Sequence, residues 1–195
     1  MASAKPIITF GFLGSTLDRA QGAERWSKWR PTVAMCQQED LLISRLELLV
    51  EPKFADLAKS VVADIAKVAP ETQVVVHEFA LKDPWDFQEV YEQLYDFVRG
   101  YEFEPEKEDY LIHLTTGTHV AQICWFLLNE ANFIPARLLQ TSPSREGGRD
   151  AKASGRYEII DIDLPRPRRL DRVPERFNEY TTRIRDIFKA RGVLA

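Results

Sequence analysis

Thr115, Thr116, Gly117, Thr118 and His119 bring three hydroxyls, a glycine and an imidazole together within five residues. They sit between an apolar strand, Tyr110 to Leu114, and an apolar stretch with helical spacing that runs to Glu130. A turn of this kind points backbone N–H groups, hydroxyls and the positive end of a helix dipole at one place, which suits an anion such as a phosphate. The start of the chain repeats the arrangement. There Ile7-Ile8-Thr9-Phe10-Gly11-Phe12-Leu13 reads as a strand and Gly14, Ser15 and Thr16 as its closing turn. Two such turns in one α/β domain suggest a ligand site built from both.

A further cluster, Arg19 and the segment Arg25-Trp26-Ser27-Lys28-Trp29-Arg30, mixes aromatic faces with cations. Trp26, Trp29 and Arg30 are candidates for a pocket wall, because indoles stack on bases and guanidinium groups hold phosphates. Burial of both tryptophans against the sheet or a partner subunit is the competing reading. His113, inside an apolar strand, reads as a satisfied buried histidine. His119 is divided between contacting a ligand and capping its helix.

The common nucleotide enzymes are excluded or disfavoured. No GxxxxGK[ST] is present, and no GxSxG elbow. Gly11 and Gly14 do not form GxGxxG, and no acid of the kind that holds a ribose stands out at the end of the next strand, which argues against a nicotinamide or flavin enzyme. His77, His113 and His119 lack metal-ligand spacing, and Cys36 and Cys124 read as small core residues. Neither a metal nor a cofactor is expected.

Composition bounds the rest. A chain of 195 residues with 45% apolar and 29% charged residues fits one globular domain with a well-formed core. No signal segment opens it, and the longest wholly apolar run, Ile123 to Leu128, is far too short for a membrane span. A cytoplasmic address without membrane association is expected. The net charge of −4 argues against contact with duplex DNA, yet charge is uneven. Glu102 to Asp109 holds five acids against Lys107, while Arg137 to Arg156 holds five bases against Glu146 and Asp150. A small anionic ligand fits this pattern better than a long nucleic acid.

The elements that must position these residues follow from periodicity. Strand patterns fall near 6–13, 45–50, 73–79, 109–115, 135–141 and 157–164, and helical ones at 31–40, 52–69, 84–99 and 117–131. This alternation is that of a wound α/β sheet. Asp83-Pro84-Trp85-Asp86 reads as a helix N-cap with proline at the first position. The helix from Val120 to Leu128 is apolar nearly all round, which implies a second buried side and hence a dimer partner. Ser142 to Gly155 reads as a polar loop, with a lid as the alternative. Pro165-Arg166-Pro167-Arg168-Arg169 reads as a linker before a terminal amphipathic helix, Glu175 to Lys189.

The strings FGFLGSTLDR, RWxxWRPTVAMCQQEDLL, DPWDFQEVY, DYLIHLTTGTHVAQIC and PARLLQTSP resemble the N-terminal domain of the RtcR family along nearly the whole chain. These are sigma-54-dependent transcription activators of the bacterial RNA-repair operon. The resemblance implies a Rossmann-like CARF domain at 1–164, a mainly parallel six-stranded sheet with helices on both faces. It implies a linker and C-terminal helix at 165–195, leading to a downstream AAA+ domain. It further implies a homodimer that senses a nucleotide at Gly14, Ser15 and Thr16 and at Thr115 to His119; Arg19 or the Trp26–Arg30 segment is expected to add charge or stacking to that site. Many relatives carry Asn or Asp in the fourth strand and Lys or Arg beyond the turn, where this chain has His113 and His119. The ligand implied is RNA-derived: an end with a 2′,3′-cyclic phosphate, a tRNA fragment or a cyclic oligoadenylate. The alternative is a ring nuclease using Thr115, Thr116 and His119.

Overall fold

The computed structural model describes residues 5–20, 22–144, 155–161, 179 and 182. Six strands, β1 (Ile7–Phe12), β2 (Ile43–Val50), β3 (Gln73–Glu78), β4 (Asp109–His113), β5 (Ala136–Ser142) and β6 (Arg156–Ile160), form one sheet in the order β3-β2-β1-β4-β5-β6. All neighbours pair in parallel except β5 and β6. Helices α1 (Pro31–Cys36), α2 (Ala55–Val68), α3 (Phe87–Gly100) and α4 (His119–Glu130) make the crossovers.

Alternation along the strands splits the core in two. Phe10, Phe12, Tyr110, Ile112 and Leu138 pack with Val90, Leu94, Cys124, Trp125 and Leu128, drawn from α3 and α4. Leu46, Leu48, Val50, Leu111 and Leu139 pack with Val33, Met35, Val61 and Ile65, drawn from α1 and α2. Helices therefore cover both faces. Among the buried residues of α2 stands one acid, Asp64, answered by Arg30 at 2.9 Å and Arg25 at 3.2 Å.

Strand order reverses at β1, whose neighbours are β2 on one side and β4 on the other. The connections leaving β1 and β4 diverge there, and a crevice opens at their carboxyl ends.

Local differences from the sequence reading have physical causes. The helix expected from residue 84 begins at Phe87, because Asp86 is its cap and accepts Glu89 N–H at 2.9 Å. Asp83 instead closes the preceding turn through Trp85 N–H at 2.9 Å. The helix expected over 31–40 ends at Cys36, and the strand expected at 45–50 starts at Ile43. Two compact units are distinguished, Met1–Ile160 and Asp161–Ala195. In the second, Glu179 and Thr182 are helical and exposed. The linker at 165–169, most of the loop at 142–155 and most of the helix at 175–189 lie outside the described residues.

Candidate functional site

The turns after β1 and β4 meet in one cavity of about 270 Å³. Gly14, Ser15, Thr16 and Leu17 line it from the first turn, and Thr115, Thr116, Gly117, Thr118 and His119 from the second. Glu51 and Phe54 enter from the end of β2, and Leu81, Pro84 and Trp85 from the loop before α3.

The first turn is held by Asp18. Its carboxylate, fully buried, accepts Gly14 N–H at 2.7 Å, Thr32 N–H at 3.0 Å and the Thr32 hydroxyl at 2.5 Å. Burial raises this carboxyl above its ordinary range, while hydrogen bonds from Thr32 and Gly14 and the Arg30 charge pull the other way. Asp18 N–H closes back on the Gly14 carbonyl at 2.8 Å. Glycine is required at 14, because a Cβ there would stand 2.6 Å from Asp18 Oδ2 and 3.0 Å from Thr116 Cγ2. Among the described residues the Ser15 and Thr16 hydroxyls have no hydrogen-bond partner, and both line the cavity.

The second turn is held by hydroxyls. Thr115 Oγ1 accepts Thr141 N–H at 2.7 Å and donates to the Thr141 carbonyl at 3.1 Å, tying the turn to β5. Thr118 caps α4, accepting Ala121 N–H at 3.2 Å, and donates to the Pro84 carbonyl at 2.9 Å. His113 is buried, with Nε2 2.9 Å from Thr141 Oγ1 and Nδ1 3.5 Å from Thr116 Oγ1. Burial pulls its pKa down to about 3, so the ring is neutral. Gly117 has φ +89°, and a Cβ there would meet Phe12 and Ala121 at 3.2 and 3.3 Å. The threonine hydroxyls thus shape the turn. With those hydroxyls engaged, what borders the cavity is the head of α4, whose first backbone N–H groups have no intrahelical acceptor, with His119 exposed beside them.

The structure brings the two turns together and leaves the basic segment elsewhere. Arg19 lines a shallow depression with Glu24 and Lys28, and its carbonyl accepts Lys28 Nζ at 2.7 Å. Over the exposed Trp26 ring stand cations of its own chain, Arg25 at 5.0 Å and Lys67 at 5.6 Å from the ring centre. Trp29 packs against Gly155, where a Cβ would come 2.7 Å from Nε1. Arg30 is buried on Asp64. None of the four lines the cavity.

Beside the buried Phe12, the aromatic residues that line it are Trp85, 62% exposed, and Phe54. Sequence reasoning missed both, having assigned Trp85 to a capping motif. It also missed Asp18, and it overlooked Glu51, the acid directly after β2. Among the described residues no three of His, Cys, Asp and Glu cluster to hold a metal, and no helix is long and apolar enough to cross a membrane.

A mainly parallel sheet with helices on both faces and a crevice at its switch point defines a Rossmann-like α/β domain. Similarity to a solved structure agrees on the fold. Enterococcus italicus Csm6 bound to cyclic hexa-2′-fluoro-hexa-dAMP superposes with a TM-score of 0.57 at 13% identity, covering 96% of this chain and 45% of that one. Can2 from Sulfobacillus thermosulfidooxidans in complex with cyclic tetra-adenylate gives 0.48 at 13% identity, over 82% and 38%. The chain belongs to the RtcR family, regulators of RNA terminal phosphate cyclase, whose model matches residues 5–191. It is 54% identical over 184 residues to the transcriptional regulatory protein RtcR of Escherichia coli K12, covering 94% of this chain and 34% of that protein. The chain therefore spans about a third of the length of that relative.

Proposed function

We propose that this domain is the ligand-sensing module of a sigma-54-dependent activator and binds an RNA-derived nucleotide in the cavity between the β1 and β4 turns. The observation that carries the reading is the convergence of Gly14–Thr16 and Thr115–His119 on that cavity. Amides at the head of α4 and the Ser15 and Thr16 groups hold phosphate, while Trp85 and Phe54 stack on a base. Arg19, exposed near the first turn, adds charge to an approaching ligand.

A homodimer forms through the outer face of α4, where Ile123, Phe126 and Leu127 are 51%, 37% and 39% exposed. Ligand that binds the two dimer arrangements with different affinity shifts their populations and so controls an AAA+ domain downstream, in the cytoplasm. RNA-repair genes are switched on as a result.

The test is calorimetric titration of the chain with cyclic tetra- and hexa-adenylate and with a short RNA ending in a 2′,3′-cyclic phosphate. Products are then resolved by chromatography. Binding with the ligand recovered intact supports a sensor. Multiple turnover abolished in His119→Ala supports the ring nuclease instead, and absence of binding by every probe overturns both.

A further inference from the structure

Among the described residues Glu51 is the one carboxylate that lines the cavity, and no lysine or arginine lines it. Its position follows from the sheet. Phe12 of β1 pairs with Leu49 of β2, so two residues further on Glu51 stands level with Gly14, where the first turn begins. The side chain is 19% exposed. Oε2 pairs with Lys53 Nζ at 2.6 Å, and Oε1 has no hydrogen-bond partner among the described residues. A carboxylate held in this way keeps Oε1 open to a further donor, facing a cavity otherwise lined by backbone, hydroxyls, the His119 imidazole and apolar groups.

The chemistry of such a group divides the cavity. A carboxylate oxygen offers phosphate no donor, so phosphates are directed to the groups that do, the Ser15 and Thr16 hydroxyls and the amides of the β4 turn. What a carboxylate attracts is a hydroxyl or amine donor. In wound sheets an acid at the end of the second strand, beside the first glycine turn, is placed to take a ribose hydroxyl.

We infer that Glu51 reads the sugar of the bound nucleotide, accepting a ribose 2′-hydroxyl and making the site selective for ribonucleotides over their 2′-deoxy counterparts. Charge-assisted hydrogen bonds are the strong ones, and loss of the ribose donor leaves Oε1 facing the ligand without a partner. The inference rests on the cavity being the nucleotide site proposed above.

The experiment titrates the chain, its Glu51→Gln and its Glu51→Ala variants with cyclic hexa-adenylate, its 2′-deoxy form and its 2′-fluoro form. The RNA ending in a 2′,3′-cyclic phosphate is run beside a matched oligonucleotide with 2′-deoxy internal sugars, and thermal melting checks that each variant is folded. The unsubstituted chain is expected to prefer ribose by about ten- to a hundredfold over deoxyribose or 2′-fluororibose, the range of one charge-assisted hydrogen bond. Both variants are expected to lose most of that ratio while keeping their affinity for the deoxy probe. A ratio unchanged in folded Glu51 variants overturns the assignment of the sugar to Glu51 and leaves the nucleotide site standing. An equal loss for ribose and deoxyribose probes also overturns it, because the carboxylate then reads a base or shapes the turn. Absence of binding by every probe to the unsubstituted chain overturns the nucleotide site, and this inference with it.

Discussion

After β1 the chain is held by a buried carboxylate that gathers donors from Gly14 and Thr32, whereas after β4 it is held by threonine hydroxyls and an uncharged imidazole. In sequence the two turns look alike, each a strand followed by glycine and hydroxyl residues. In the structure they divide the work. The first turn spends an aspartate on its own backbone, and its serine and threonine hydroxyls face the cavity without partners among the described residues. The second engages its threonine hydroxyls with β5, with the Pro84 carbonyl and with the α4 cap, and offers amides. Similar composition thus produces a hydroxyl-presenting turn and an amide-presenting one. The difference lies in whether a carboxylate is nearby to satisfy the backbone.

The comparison is broken most directly at Asp18. Replacement by alanine leaves Gly14 N–H, Thr32 N–H and the Thr32 hydroxyl without an acceptor in a buried site, a loss on the order of 5 kcal/mol. Thermal melting should show it as a fall of roughly 10–20 °C for a domain of this size. A melting temperature within a few degrees of the parent would mean that the first turn holds itself without the carboxylate.

The second turn is addressed by acid. His113 has its folded pKa pulled down to about 3 from an ordinary 6.5, so the folded state favours the neutral ring. The stability contribution of a neutral His113 is full above pH 6.5 and is lost as pH falls through that value toward 3, on the order of 4 kcal/mol by the end. Chemical denaturation at a series of pH values, compared with His113→Asn, measures it. Parallel curves for the two proteins across pH 6.5 to 3 would refute the assignment.

A smaller effect is expected from Gly117→Ala, which forces a side chain to φ +89° against Phe12 and Ala121 and should cost about 1–3 kcal/mol. The smallest change in stability is expected at the two exposed tryptophans. Trp85→Ala should leave stability within about 0.5 kcal/mol, as an exposed residue, yet weaken nucleotide binding by about 1–3 kcal/mol through lost stacking. Trp26→Ala should leave binding unchanged, because its ring faces Arg25 and Lys67 outside the cavity. Equal binding losses in the two variants would return the basic segment to the site.

Sequence alone determined the fold class, the order of strands and helices, the family, and the two glycine turns as the places to look. Those features rest on local periodicity and on long strings of residues, and both are visible along the chain. His113 was legible as a buried histidine because an imidazole within an apolar strand has nowhere to go but the core. Tertiary structure alone decided which aromatic rings reach the cavity. Trp85 and Phe54 arrive from segments far apart in sequence, while Trp26 and Arg30 are consumed by Lys67 and Asp64 of α2. It also decided that the threonine hydroxyls face inward, since their partners lie on β5 and in the loop before α3. Glu51 directly follows the strand expected at 45–50 and was passed over there; that it stands level with Gly14 is a matter of strand register, settled only when β1 and β2 pair.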